Sequence, residues 1–166
     1  AGRLSQITDV LSPKLIITTS AIKDEAAKIF PGFELATVEE LMDEEICEES
    51  LRFVRVRAID TDPLYINFTS GSTGVPKGIV VAHRSVIDFI DCFTETFGIN
   101  ETDVIANQAP FDFDVSVKDI YSALKTGAAL AVVPRRLFSV PTELIDFLCE
   151  HKATVMVWAV SALCLL

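Results

Sequence analysis

Short apolar runs alternate with polar punctuation along the chain, and the period of each run sets the element it predicts. Residues 4–10 read as the end of a helix that Pro13 stops, and Leu15-Ile16-Ile17-Thr18 reads as a compact buried strand. Ser20 is placed to cap a helix over 21–30, which Pro31-Gly32 ends. Phe33-Glu34-Leu35 predicts a second strand, and residues 38–42 a short amphipathic turn. The acidic run over 43–49 predicts a solvated connecting loop, with a docking surface as the alternative. Thr61-Asp62-Pro63 then punctuates the chain, so 1–62 reads as a first αβ segment with an acidic linker and 63–166 as a second.

In the second segment Leu64-Tyr65-Ile66-Asn67-Phe68 and Ile79-Val80-Val81 are β-branched and aromatic runs bounded by turn residues, and both predict strands. From His83-Arg84 a long helix is expected. Its apolar residues Val86, Ile87, Ile90, Phe93 and Phe97 recur at three and four as one buried stripe, and Gly98 closes it. Val104-Ile105-Ala106 predicts a strand, and 116–124 a helix stopped at Gly127, with Ser116 and Asp119 at the spacing of a capping box. A strand over 128–133, a helix over 142–151 with Leu144, Ile145 and Leu148 inward, a strand over 154–158 and a helix starting at Ser161 complete the pattern. This alternation predicts an α/β fold, a mostly parallel open sheet with helices on both faces.

Between the first two strands of the second segment lies Thr69-Ser70-Gly71-Ser72-Thr73-Gly74-Val75-Pro76-Lys77-Gly78. Gly71 and Gly74 let the backbone approach a ligand closely, so that successive N–H groups converge on one anion. The hydroxyls of Thr69, Ser70, Ser72 and Thr73 add neutral donors, and Lys77 adds a mobile point charge. The pattern predicts a phosphate-binding loop; a solvated Gly/Ser turn is the alternative. It departs from the P-loop of nucleotide hydrolases, because Pro76 replaces the glycine and Gly78 replaces the magnesium-binding Ser or Thr. A second candidate is Asp114, a carboxylate near the carboxyl end of a strand and just before a helix, where open α/β sheets bind ligands. Ser116 supplies the helix cap in this reading, which leaves Asp114 to hold a substrate ammonium group. His83 is a possible base, but no partner is identifiable, and it reads as structural.

Phe68 to Gly78 resembles the signature of the adenylate-forming enzymes, YTSG(S/T)TGxPKG, with Phe68 in place of the tyrosine. That superfamily includes acyl-CoA synthetases, luciferases and the adenylation domains of nonribosomal peptide synthetases. Phe113-Asp114-Val115-Ser116 resembles the FDxS motif of its amino-acid-adenylating members, and the runs over 107–111 and 113–121 are similar to D-alanine–carrier protein ligases. The resemblance implies a partial N-terminal lobe of such an enzyme. It implies that Ser70, Gly71, Ser72, Thr73 and Gly74, with Thr69 and Lys77, grip ATP phosphates. It implies that Asp114 holds the substrate's α-amino group, that Phe113 borders the acyl site, and that Val115, Lys118 and Val157 face the substrate side chain. Lys118 would then favour an acidic side chain, with a solvated surface lysine as the alternative. Val160 stands where relatives carry proline, which leaves side-chain selection open.

The implied requirements are ATP, Mg2+ with ligands outside this chain, and phosphopantetheine on an acyl or peptidyl carrier protein. The family's Y/N-G-P-T-E and T-G-D segments and its catalytic lysine have no counterpart in the sequence. The chain therefore reads as a fragment without catalytic residues of its own and inactive by itself. The alternatives are a CoA ligase acting on a carboxylate without an amino group, and a non-catalytic remnant.

Composition narrows this further. The 166 residues are 50% hydrophobic and 23% charged, which is globular, and a formal net charge of −10 argues against nucleic acid. No apolar run approaches a membrane span, and no signal-peptide pattern opens the sequence. Cys47, Cys92, Cys149 and Cys164 fit no metal or redox spacing and read as buried or incidental thiols of a cytoplasmic protein.

Overall fold

The computed structural model describes residues 2–69 and 76–165. The chain divides into two compact units, one of Ala1–Asp62 with Phe68–Val80, the other of Pro63–Asn67 with Val81–Leu166. Among the described residues the strands form three two-stranded sheets. The α/β class is the expected one.

In the first unit α1 (Gly2–Leu11) leads into β1 (Leu15–Thr18), then α2 (Lys23–Ile29), β2 (Glu34–Thr37), α3 (Val38–Asp43) and α4 (Glu48–Arg57). The strands β1 and β2 pair in parallel, with Leu15 opposite Glu34 and Thr18 opposite Thr37. Ser20 does not cap α2. It lies in a tight 3-10 turn, Ser20–Ile22, and its N–H donates to the Glu39 carboxylate at 3.0 Å. The cap that forms belongs to α3: the Glu40 N–H donates to Thr37 Oγ1 at 3.1 Å, and the Thr37 N–H donates to the Glu40 carboxylate at 2.8 Å. The Glu40 carboxylate also accepts from Lys23 Nζ at 2.6 Å, and that bond, ahead of those from Thr37, holds its pKa down at about 2.

The acidic run is not simply a loop. Its last residues open α4, a helix with Glu48 and Glu49 in the first turn and Arg55 and Arg57 in the last. Each end of the macrodipole thus meets the opposite charge. The side of α4 that carries Phe53 is covered by the Arg57 guanidinium, 3.8 Å from the ring centroid.

Two strands, β3 (Pro63–Thr69) and β4 (Lys77–Ala82), are hydrogen-bonded neighbours. After them the second unit holds α5 (His83–Phe97), β5 (Val104–Asn107), α6 (Ser116–Thr126), β6 (Ala129–Val132), α7 (Pro141–Glu150) and α8 (Val160–Leu163). Gly98 and Gly127 stop α5 and α6 in the left-handed region, at φ 63° and 78°, as their positions predict. The strands β5 and β6 pair in parallel, with Ile105 opposite Leu130.

Several faces differ from the expected ones. Val86 and Ile90 of α5 are buried, whereas Ile87 and Phe97 are exposed; on α7 Leu144 and Leu148 are buried and Ile145 is exposed. The buried stripe is therefore narrower than the apolar one. Residues 154–158 do not form a regular strand: Val155 makes one parallel bridge to Ile105. This segment is held at its start by Thr154, which exchanges hydrogen bonds with Val104, and at its end by Trp158, buried with Ala106, Val133, Leu137, Leu144 and Leu148, its indole N–H donating to the Ala106 carbonyl at 2.7 Å. The four cysteines are exposed and free rather than buried.

Candidate functional site

Strand alternation puts Tyr65 and Asn67 on one face of β3. Both line a hollow of about 260 Å³ with the segment that leads into α6, including Phe111, Asp112, Phe113 and Asp114. A second hollow, about 310 Å³, is lined by Val81, Ser85, Phe89 and Val115. Tyr65, Asp114 and Val117 line both, so the Asp114 carboxylate stands where the two meet.

Backbone turns set that position. The Phe113 N–H donates to the Pro110 carbonyl, the Ser116 N–H to Phe113 and the Val117 N–H to Asp114, at 3.0, 3.0 and 3.1 Å. Asp114 does not cap the helix, but the reason is not the one its sequence context predicts. Val115 occupies the cap position in a helical conformation and no side chain caps α6; Ser116 and Asp119 are instead buried within the helix. Among the described residues the Asp114 side chain makes no hydrogen bond or ion pair. Its charge is felt by Tyr65, whose phenol pKa is raised by burial first, then by Asp114 and Tyr121. Tyr65 therefore stays a neutral hydroxyl beside an anion.

Tyr65 was not singled out by the sequence, where it reads as one residue of an apolar strand. The signal that finds it is the i, i+2 pairing with Asn67, two hydrogen-bonding side chains on one face of that run. Phe113 and Val115 are exposed walls, one to each hollow. Lys118 and Val157 line neither. Lys118 is buried and not a solvated surface lysine, and Val157 is half-buried next to Trp158. A larger hollow, about 600 Å³, opens at the carboxyl ends of β5 and β6 beside Gln108, Phe111 and Arg135. His83, the first residue of α5, lines a mostly apolar hollow of about 350 Å³ with Leu64, Val86, Ile90 and Tyr121.

Of the phosphate-loop candidates, Thr69 ends β3 and Lys77 begins β4, both exposed, so paired strands present the two ends of the loop. Ser70, Gly71, Ser72, Thr73 and Gly74 lie outside the described residues. The Arg3 guanidinium donates to the Phe68 carbonyl at 2.9 Å, tying the end of β3 to α1. Among the described residues no group of three or more His, Cys, Asp or Glu side chains could hold a metal ion, and no helix is long and apolar enough to cross a membrane.

The family model described as AMP-binding enzyme matches residues 1–165. L-proline--[L-prolyl-carrier protein] ligase of Pseudomonas fluorescens is 34% identical over 163 residues, covering 93% of this chain and 32% of that protein. D-alanine--D-alanyl carrier protein ligase of Bacillus cytotoxicus is 37% identical over 99 residues, 60% of this chain and 19% of that protein. The chain thus spans a third or less of the curated relatives it matches. Among solved structures, IdnL1 superimposes with a TM-score of 0.72 at 26% identity, over 98% of this chain and 32% of that one. McyG A-PCP, complexed with phenylalanyl-adenylate, superimposes with a TM-score of 0.77 at 19% identity, over 93% and 25%.

Proposed function

Because the chain belongs to the AMP-binding enzyme family, we propose that its protein activates an amino acid as the aminoacyl adenylate and passes it to a phosphopantetheine thiol on a carrier protein. The observation that carries this reading is the Asp114 carboxylate, unpaired among the described residues, beside the neutral Tyr65 hydroxyl at the meeting of two hollows. An α-ammonium group satisfies that carboxylate, and the phenol oxygen accepts one further N–H from it. Phe113 and Val115 then flank the carbon skeleton. The names of the relatives, ligases that act on carrier proteins, support the same chemistry.

Thr69 and Lys77, with the hydroxyls and glycines over 70–74, grip the β- and γ-phosphates of ATP. In the first step a carboxylate oxygen of the amino acid attacks the α-phosphorus and pyrophosphate leaves. In the second, the carrier thiolate attacks the acyl carbon and AMP leaves. Lys77 contributes charge neutralisation, and the loop contributes alignment of the phosphates; neither forms a covalent bond. Mg2+, with ligands outside this chain, would supply further charge on the phosphates when bound. ATP dependence and free thiols suit the cytoplasm.

The test is carrier loading by the natural-length protein with a radiolabelled amino acid, ATP and a phosphopantetheinylated carrier. A hydroxylamine-labile thioester is expected on that carrier and none on the unmodified one. Loading of CoA with a carboxylate that has no amino group, and no amino-acid thioester, would overturn the reading in favour of an acyl-CoA ligase.

A further inference from the structure

Lys118 lies in the first turn of α6, where the amino-acid-activating reading expects a residue facing the substrate side chain. Its surroundings point elsewhere. Lys118 Nζ donates to Asp119 Oδ1 at 2.7 Å, with the lysine side chain 11% exposed and the aspartate 2%. The other carboxylate oxygen, Asp119 Oδ2, accepts from Asn107 Nδ2 at 3.0 Å. Asn107 is the last residue of β5 and is itself buried. One carboxylate thus joins the end of β5 to the start of α6, and the connection between those two points, 108–115, carries Phe113, Asp114 and Val115.

A buried ion pair of this kind adds little net stability, because desolvation offsets most of the attraction. What it does is fix geometry: the Asn107 bond to Asp119 spans the base of the connection, the Lys118 bond within α6 holds the carboxylate that accepts it, and the turn bonds at Phe113, Ser116 and Val117 hold the top. An ammonium group already neutralised by Asp119 has no free charge to offer a substrate. Turning it toward an acidic side chain would leave Asp119 buried and unpaired, a penalty that outweighs one new contact.

We propose that Lys118 is a positioning residue: with Asp119 and Asn107 it clamps the base of the loop that presents Asp114, and it does not read the charge of the substrate side chain. The positioning half of this inference rests on the amino-acid-activating reading of Asp114. The clamp itself does not.

The groups facing the Asp119 carboxylate are Lys118 on α6 and Asn107 on β5; α5 and β6 bring none among the described residues. Burial raises the Asp119 pKa, and Lys118 and then Asn107 act against it. Without the lysine the upward push is less opposed. A carboxyl whose folded pKa lies above its unfolded value favours the folded state when protonated, so that stability falls as pH rises through the window between the two. The damage done by K118M is therefore larger at high pH.

The experiment compares wild type, K118R, K118M and K118M/D119N in the natural-length protein. Amino-acid-dependent ATP–pyrophosphate exchange is measured over acidic and neutral amino acids, with thermal melting at about pH 5 and about pH 8. The expected K118M result is a rise of about tenfold in KM for every accepted amino acid, the size of loss that follows a small misplacement of a binding group. The ranking of amino acids and the KM for ATP stay unchanged. Its melting temperature falls further at the higher pH. K118M/D119N recovers most of both losses, and K118R keeps the wild-type ranking.

A K118M or K118R enzyme whose preference shifts away from or toward acidic amino acids would overturn the proposal. So would a double variant as impaired as K118M. D114A run in parallel separates the two claims. If exchange survives that substitution, the reading of Asp114 fails, while the melting comparison still decides whether Lys118 and Asp119 form the clamp.

Discussion

Alanine at Asp114 is expected to abolish amino-acid-dependent ATP–pyrophosphate exchange. The loss is electrostatic. A carboxylate and an ammonium about 4 Å apart, in surroundings of effective dielectric constant about 20, attract by about 4 kcal/mol. At about 1.4 kcal/mol per factor of ten, losing most of that attraction lowers kcat/KM by roughly two to three orders of magnitude. Asp114 fits the role because its side chain has no partner among the described residues and it lines both hollows, whereas the neighbouring Asp112 lines the first of them alone. Asn at position 114 keeps the shape and removes the charge, and should lose nearly as much as Ala. Tyr65→Phe should cost less, because a phenol contributes one neutral hydrogen bond. Exchange kinetics unchanged in D114A would sink the assignment.

The largest loss of stability is expected from Trp158→Ala, about 3–5 kcal/mol. Trp158 is 7% exposed and packs edge-on against Phe138, with ring centroids 5.3 Å apart. Its indole N–H bond to the Ala106 carbonyl adds to the Val155 bridge and to the Thr154 bonds with Val104 in attaching the last segment to β5. Removing the ring opens a cavity beside Leu144 and Leu148 and leaves a buried carbonyl without its donor. Trp158→Phe should lose less, since part of the apolar volume remains. The check is the denaturant midpoint of each variant at unchanged slope. A Trp158→Ala midpoint within about 1 kcal/mol of wild type would contradict this account of the core.

The sequence is legible where local chemistry decides. Strand β1 falls on the residues its apolar run predicts, and Gly98 and Gly127 stop their helices because the chain there needs positive φ. It is less legible where one residue type serves two ends. Ser116 and Asp119 have the spacing of a capping box, yet at 1% exposure each they face inward, and Asp119 finds Lys118 and Asn107 instead of the backbone. Nothing local shows that choice, because Asn107 lies on another element. The helix α4 was hidden by its charge, since a run of acids reads as solvated whether or not it begins a helix. Residues 154–158 read as a strand by composition, but one bridge, the Thr154 bonds to Val104 and Asp103, and one indole bond do the work that a ladder would do. At the candidate site the motif residues Phe113, Asp114 and Val115 were legible, whereas Tyr65 needed the fold to bring β3 against the loop.

Amino-acid activation is decided by ATP–pyrophosphate exchange with the natural-length protein across D- and L-amino acids. Exchange that depends on one amino acid or a small related set and vanishes in D114A is expected. Exchange with D-alanine and no other would mark a D-alanine–carrier ligase, and exchange with a different amino acid a peptide-synthetase-type activity. No exchange with any amino acid, together with turnover of a simple carboxylate and CoA, would contradict it.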